Sequence, residues 1–420
     1  MGIKKRLVIL NFLQFFIWGS WLLTIGAYWF QTRHWSGTSF GAIFSTMGIA
    51  SLFMPAISGI IADRWINAER LYGSFHLAGA VILFFVPLIN DPSVMYWVIL
   101  FYMIFYMPTI SLAITVSYAA LEGKGLNIVK EYPPIRVWGT IGFIVALWVI
   151  SISRAETSAI QFYVASGASL LLGLYSFTLP ACPPQGKGVK KSFIKALGLN
   201  AFALIMKGKM ILFFIFAILL GVALQLSNAY GDTFLHDFKY VVAFKDLVAV
   251  KYPAIIMSVS QISETLFILT IPFFLRRFGI KKVIIISMAA WVLRFGLFAY
   301  GNPASLLWMI ILSCIIYGMA FDFYNISGSI YIETQTDPVN RASAQGLFMM
   351  MSNGIGAFLG SRISGIIIDN YFTIKPGKFN WHGIWLTFAA YSLVVAILFA
   401  VFFRYKHDPE VLEVSPISNS

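Results

Sequence analysis

A chain of 420 residues that is 59% hydrophobic, 17% aromatic and only 11% charged carries less than half the charge of an ordinary soluble domain, where about a quarter of residues are Asp, Glu, Lys or Arg. That excludes a soluble protein with a polar shell. The net charge of +13 does not read as a nucleic-acid footprint either, because the cations are confined to alternate connections instead of clustering in one patch.

In chain order, apolar runs long enough to cross about 30 Å of hydrocarbon as a helix occupy 7–31, 40–61, 71–89, 94–120, 137–153 and 158–179, then 210–230, 252–275, 282–300, 304–332, 342–369 and 382–404. The first run lacks a small-residue cleavage site and is rich in Trp and Phe, so it reads as a retained helix and not a signal peptide. Between the sixth and seventh runs lies PACPPQGKGVKKSFIKALGLNAFALIMKGK, whose Pro, Gly and Lys residues do not belong in lipid. The expected architecture is an all-α integral membrane protein of twelve transmembrane helices. A six-helix bundle spans 1–179, a cytoplasmic linker 180–209, a second six-helix bundle 210–406, and a tail 407–420.

The cations set the orientation. Twenty-one Lys and Arg residues, from Lys4, Lys5 and Arg6 to Arg404 and Lys406, fall on the side of the N-terminus. Seven fall on the other: Arg33, Arg154, Lys239, Lys245, Lys251, Lys375 and Lys378. The positive-inside rule then places both termini in the cytoplasm. Arg294 and Arg362 lie within spans and are expected near helix ends, with their long side chains reaching the interface.

The connection after the second span reads MPAISGIIADRWINAER, and its counterpart after the eighth reads TIPFFLRRFGIKKV. Both place Pro before a short apolar stretch and then cations, the weak internal symmetry of a repeated six-helix unit. Within the first, Gly59 to Arg64 resembles the G-x-x-x-D-R signature of the major facilitator superfamily. The bland alternative is that Asp63 caps a helix and Arg64 obeys the inside rule. Two such bundles would face each other across a cavity at mid-membrane depth and rock about it.

Polar groups inside spans are then candidates for the cavity wall. An ionised acid at a helix centre costs roughly 2.5–3.5 kcal/mol, so Glu264 in the eighth span needs a partner, a wet cavity or a proton. Gln261 precedes it by three residues and shares its face. Gln225 and Asn228 repeat that spacing in the seventh span. In the fifth span PPIRVWGTIGF starts a helix at Pro133 and Pro134 and sets Arg136, Thr140 and Phe143 on one stripe. In the tenth, Tyr317, Phe321 and Asp322 point in broadly similar directions, with Asn325 continuing the Asp322 face. Amides pair with a base edge, rings stack on a heterocycle and carboxylates accept from ribose hydroxyls. A nucleoside suits that set, and so does a sugar. Burial favours the protonated form of a carboxylic acid and a nearby guanidinium the ionised form. The expectation is that Asp322 pairs with Arg136 in one state and that Glu264 or Asp322 takes up a proton with the cargo.

Other features are weaker. His76, alone in the third span, reads as a packed helix-to-helix hydrogen bonder, and the five histidines show no metal-ligand spacing. Cys182 and Cys314 are not expected to form a disulfide. Ser192 to Lys195 spells S-x-x-K, a chance match on a basic linker. No nucleophile elbow or phosphate loop occurs, so no catalytic residue, cofactor or metal is expected.

Several stretches then fit one family: FLQFFIWGSWL (12–22), PPIRVWGTIGF (133–143), SQISETLFILTIPFFL (260–275), FDFYNISGS (321–329) and RASAQG (341–346). Together they resemble the nucleoside:proton symporters of the major facilitator superfamily, from end to end of the chain. The resemblance implies a proton-coupled nucleoside importer of the bacterial inner membrane, working by alternating access and functional as a monomer. It implies a substrate site on Arg136, Thr140, Phe143, Gln225, Asn228, Gln261, Glu264, Tyr317, Phe321 and Asp322, with Glu264, Asp322 and Arg136 coupling protons. Tyr324 and Ala223 depart from the family pattern, where Phe and Glu occur, which bears on the bases accepted. The competing classes are a sugar or drug transporter of the same fold, an intramembrane enzyme and a passive channel.

Overall fold

The computed structural model describes residues 2–184, 208–336, 341–375 and 378–405. Most of the expected linker and all of the expected tail lie outside them. The first half comprises α1 (Ile3–Gly19), α2 (Ile25–Ala27, continued by a π-helical turn, Tyr28–Thr32), α3 (Gly37–Arg64), α4 (Ala68–Phe85), α5 (Pro92–Glu122), α6 (Ile128–Ile152) and α7 (Ile160–Ser176). The second comprises α8 (Gly208–Asp237), α9 (Val248–Lys251), α10 (Pro253–Ile268), α11 (Ile271–Tyr300), α12 (Leu307–Gln335), α13 (Arg341–Met349), α14 (Ala357–Ile367) and α15 (Trp381–Phe402). A π-helical stretch, Met350–Gly356, joins α13 to α14, and a small hairpin of β1 (Thr373–Lys375) and β2 (Lys378–Phe379) precedes α15. Eight helices among the described residues are long and apolar enough to cross a membrane. Side chains such as Trp97, Phe101 and Leu171 stand exposed on the perimeter, as expected where lipid is the solvent.

Helix starts follow local capping chemistry. Ser36 Oγ accepts from Ser39 N at 3.1 Å, Asn127 Oδ1 from Lys130 N at 3.1 Å and Asn380 Oδ1 from Gly383 N at 3.1 Å. Asp91 accepts from the amides of Ser93 and Val94. The Val94 and Ser93 amides hold its carboxyl below the usual carboxylate range. The Asn127 cap corrects the expected start of the fifth span. Pro133 and Pro134 lie inside α6, and the carbonyls their rings leave unpaired sit in the first turns, near the end of the helix. The run expected at 252–275 is also interrupted. α10 stops at Ile268, a second segment starts at Ile271, and the chain turns at Gly279, whose φ of 74° suits a residue without a Cβ. Asp63 lies in the last turn of α3, so it does not cap the start of its own helix.

Within the first half, α1 packs on α6, α3 on α5, and α4 on α7; within the second, α11 packs on both α12 and α15, and α10 on α12. His76 behaves as the sequence suggests. Its Nε2 lies 2.9 Å from Gln14 Oε1, its Nδ1 3.2 Å from Ser169 Oγ, and Gln14 also binds Tyr72 and Thr109. The tautomer that satisfies Gln14 Oε1 carries its proton on Nε2. Replacing His76 with Leu removes one of the two donors to Gln14 Oε1, leaving Tyr72, and the ring partner of Ser169 Oγ, and is expected to cost about 0.5–1.5 kcal/mol of stability per bond lost. A thermal melt unchanged from wild type would contradict that.

The two halves meet at the end of the molecule away from the N-terminus, called here the distal face. α3 packs on α14, α6 on α10, and α2 on α8. Trp148 Nε1 donates to Ser258 Oγ at 2.9 Å, and Ala254 N to Glu156 Oε1 at 3.0 Å. Gln31 and Trp381 both donate to Asp237, at 3.0 and 2.7 Å. Asp369 accepts from Gly37 N and Thr38 N at 2.7 and 2.6 Å, capping α3 from the other half. Small residues allow this closure. A Cβ on Gly41 would sit 2.2 Å from Ser361 O, and one on Gly365 2.3 Å from Gly37 O. The hydrogen bonds named here that join the halves all lie at the distal face.

Candidate functional site

A cavity of about 770 Å³ lies between the halves, within the roughly 300–1,000 Å³ usual for small-molecule sites. Its wall reaches toward the basic face through Pro55 and Ala56 of α3, Ile114 of α5 and Ser343 and Gly346 of α13. The distal end is closed by the contacts just described, so the molecule is open to one side only.

Each sequence stripe reaches this cavity by a specific packing arrangement. On α6, Arg136, Thr140 and Phe143 face it. α6 approaches α1 closely because Gly142 has no side chain; a Cβ there would stand 2.2 Å from Phe12 O. The Arg136 guanidinium then lies 4.0 Å from the centre of the Phe15 ring, a cation over an aromatic face. On α8 the wall is Gln225 and Asn228, and on α10 Gln261 and Glu264. On α12 it is Tyr317 and Phe321, whose rings lie parallel within 5° and 5.8 Å apart. Gly318 brings α12 against the backbone of Ser263 and Glu264, where a Cβ would stand 2.6 Å from Ser263 O. Ser263 Oγ donates to Ile315 O across the same contact. This fixes the Glu264 backbone beside the aromatic pair.

Nine of the ten residues expected from the sequence thus line one cavity. Asp322 does not. At about 100° per residue it turns away from Phe321 and is buried behind the wall, with Oδ2 lacking a hydrogen-bond partner. Arg136 and Asp322 form no ion pair here. Arg136 instead attracts, and Asp322 repels, a charged Glu264, so both bear on the acid of α10 without a direct bond to it. Asn325 likewise faces a small neighbouring pocket beside Tyr324.

Arg294 corrects another expectation. It is 1% exposed and does not reach an interface. Its guanidinium donates to Ser227 Oγ at 2.7 and 2.9 Å and to Ser313 O at 2.7 Å, and lies 4.7 Å from the centre of the Tyr317 ring. It therefore ties α8 to α12 directly behind a wall residue. Arg294→Met is expected to cost at least the roughly 1.5–3 kcal/mol of one charge-assisted bond and to weaken ligand binding through Tyr317. Paired melting and binding titrations measure both, and a variant as stable as wild type would refute the role. Arg362 stacks on Tyr96 of the other half at 5.5 Å.

Sequence reasoning did not nominate Phe15, Trp18, Ser51, Ser111 or Asn353 as wall residues, yet all line the cavity. Asn353, an amide amid small residues in an apolar run, carried a usable signal; the two serines did not. Nor did the sequence suggest a buried group at the distal seam, Glu156, Asp232 and His236. The i, i+4 spacing of Asp232 and His236 was its only local trace.

A multi-pass helical protein with a polar central cavity sealed at one end has the architecture of a membrane carrier. A profile of the family described as Nucleoside H+ symporter matches residues 1–408, and the chain belongs to that family. It is 51% identical over 414 residues to the xanthosine permease of Escherichia coli (strain K12), covering 98% of this chain and 99% of that protein. It is 49% identical over 408 residues to the nucleoside permease NupG of the same organism, covering 97% of each. The crystal structure of the nucleoside transporter NupG matches with a TM-score of 0.92 at 49% identity, over 97% of this chain and 100% of that one.

Proposed function

We propose that this protein imports nucleosides together with protons across the bacterial inner membrane by alternating access. The observation that carries the reading is the wall of the central cavity, where Gln225, Asn228 and Gln261 supply amides, Tyr317 and Phe321 parallel rings, Glu264 a carboxylate and Arg136 a cation. Amides recognise a base edge in both donor and acceptor sense, rings stack on its face, and a carboxylate accepts from ribose hydroxyls. On this reading the basic face is cytoplasmic, both termini lie there, and the closed distal face is periplasmic, so the structure is the state that releases cargo inward. Twelve crossings in two six-helix bundles, joined through the 180–209 linker, accommodate the helices; the segments around 253–278 and 341–372 serve as crossings despite their breaks. The cavity is built within one chain, which supports function as a monomer. The cargo leaves chemically unchanged.

Glu264 is the proposed coupling residue, with Asp322 and Arg136 modulating it. A proton on Glu264 removes the charge that would otherwise cross between the two access states, and its release inward restores the attraction to Arg136. Uptake of labelled uridine into proteoliposomes, with nucleosides, free bases and sugars as competitors, tests the assignment. Nucleosides are expected to compete, and an inward proton gradient to drive accumulation that a protonophore abolishes. Competition by sugars alone, or uptake indifferent to the gradient, would overturn it.

A further inference from the structure

At the distal seam, outside the central cavity, three ionisable side chains converge from both halves. Glu156 follows α6 in the first half, and Asp232 and His236 lie one turn apart on α8 in the second. They are 2%, 1% and 8% exposed. His236 Nε2 is 2.6 Å from Glu156 Oε2 and 3.7 Å from Asp232 Oδ2, and one ligand atom from each of the three lies within 4.8 Å of the others. Glu156 Oε1 is occupied by Ala254 N, but both carboxylate oxygens of Asp232 are buried without a hydrogen-bond partner. The nearby cation, Lys239, is engaged by Gln31 and forms no ion pair with this group among the described residues.

With His236 neutral, the two carboxylates give the group a charge of −2, which is costly where water is excluded; the 2.6 Å contact of His236 Nε2 with Glu156 Oε2 is a hydrogen bond whose proton a metal would displace. A divalent cation would cancel it and give Asp232 the partner it lacks. One imidazole nitrogen and two carboxylate oxygens form a mixed donor set that favours Zn2+ or a similar transition metal over Ca2+ or Mg2+, which prefer all-oxygen shells. At bond lengths of about 2.0–2.2 Å, tetrahedral ligand atoms stand about 3.3 Å apart. The observed separations of 2.6 and 3.7 Å bracket that spacing, so the ion would seat once Glu156 draws back from His236 by roughly 0.7 Å.

The geometry points to a zinc-class metal site that bridges the two halves and exists only while the distal face is closed. Opening that face would carry Glu156 away from Asp232 and His236 and dismantle the site. A metal that binds the closed form and not the open one shifts the balance between them, so Zn2+ at the distal face acts as a brake on the carrier. The consequence for transport rests on the carrier reading given above, while the site itself does not.

The test uses untagged, chelator-treated full-length protein titrated with Zn2+ alone, without nucleoside. About one Zn2+ per chain is expected, with a melting temperature raised by Zn2+ and unmoved by Mg2+. Asp232→Asn, His236→Gln and Glu156→Gln are each expected to weaken binding at least tenfold. If one variant fails to fold, the near-isosteric Asp232→Asn and the wild-type melting shift still decide the matter. In proteoliposomes, external Zn2+ is expected to slow uridine uptake by wild type and to spare Asp232→Asn. No binding by wild type, or equal binding by all three variants, would overturn the site. Intact uridine uptake beside absent zinc binding would reject this inference alone and leave the nucleoside reading standing.

Discussion

Glu264→Gln is expected to abolish accumulation of nucleoside against a gradient while leaving a folded protein that still exchanges nucleoside across the membrane. The carboxylate lies in the cavity wall beside Gln261, on backbone held by the close α10–α12 contact at Gly318, where Arg136 attracts it and Asp322 repels it. Glutamine keeps the shape and one acceptor oxygen but can neither bind nor release a proton. Two losses follow. Affinity falls by the difference between a charge-assisted and a neutral hydrogen bond, about 1.5 kcal/mol or roughly tenfold. Coupling falls completely, because no group whose charge changes remains at the centre of the cavity. Gradient-driven uptake and gradient-free exchange, measured in the same vesicles, separate the two. Asp322→Asn, one shell further out, is expected to reduce coupling less. Full proton-driven accumulation by Glu264→Gln would remove this acid from the mechanism, and accumulation by the double variant would remove both.

Gly41→Ala is expected to slow turnover roughly five- to a hundredfold by wedging open the distal seam. The new methyl would meet Ser361 O at 2.2 Å, well inside contact distance, and neither α3 nor α14 can yield without losing the packing around Gly365. Overfilling a packed contact costs about 1–3 kcal/mol. Here that cost falls on the state closed at the distal face, so the populations shift toward the opposite state. Labelling of single cysteines placed on either face reports the shift. Gly167→Ala on α7, where nothing lies within 4 Å of the added atom, is the control for helix propensity and is expected to transport normally. Equal rates for the two alanine variants would show that the seam does not limit transport.

The wall of the cavity was legible because helical periodicity is a local property. Gln225 with Asn228, Gln261 with Glu264, and Arg136 with Thr140 and Phe143 each repeat at three or four residues, and each set reaches the cavity as a unit. Where the periodic argument was stretched it failed. Asp322 follows Phe321 directly, and one residue of rotation was enough to bury it behind the wall. Pro133 and Pro134 suggested a helix start, but the Asn127 cap six residues before Pro133 set the boundary. Arg294 suggested an interface because a long charged side chain near a helix end can reach one; its neighbours are the hydroxyls of Ser227 and Ser260, the Ser313 carbonyl and the rings of Phe298 and Tyr317, none of which stands out in an apolar run. Contacts between the halves left almost no trace, since the pairing of Gly41 with Ser361 or of Glu156 with His236 joins positions 320 and 80 residues apart. The family resemblance supplied the cargo, which the side chains alone left open between nucleoside and sugar.

The cap that Asp369 provides for α3 has a consequence for the economy of gating. A helix start that borrows its acceptor from the opposite half must surrender it each time the seam parts. The freed amides of Gly37 and Thr38 then meet water at the rim, and hydration replaces nearly all of what the carboxylate gave, leaving a net difference of about 0.5–1.5 kcal/mol per bond. The latch works by exchange of partners, not by rupture, and a clasp so shallow can be worked repeatedly by the modest energy of gripping a small solute.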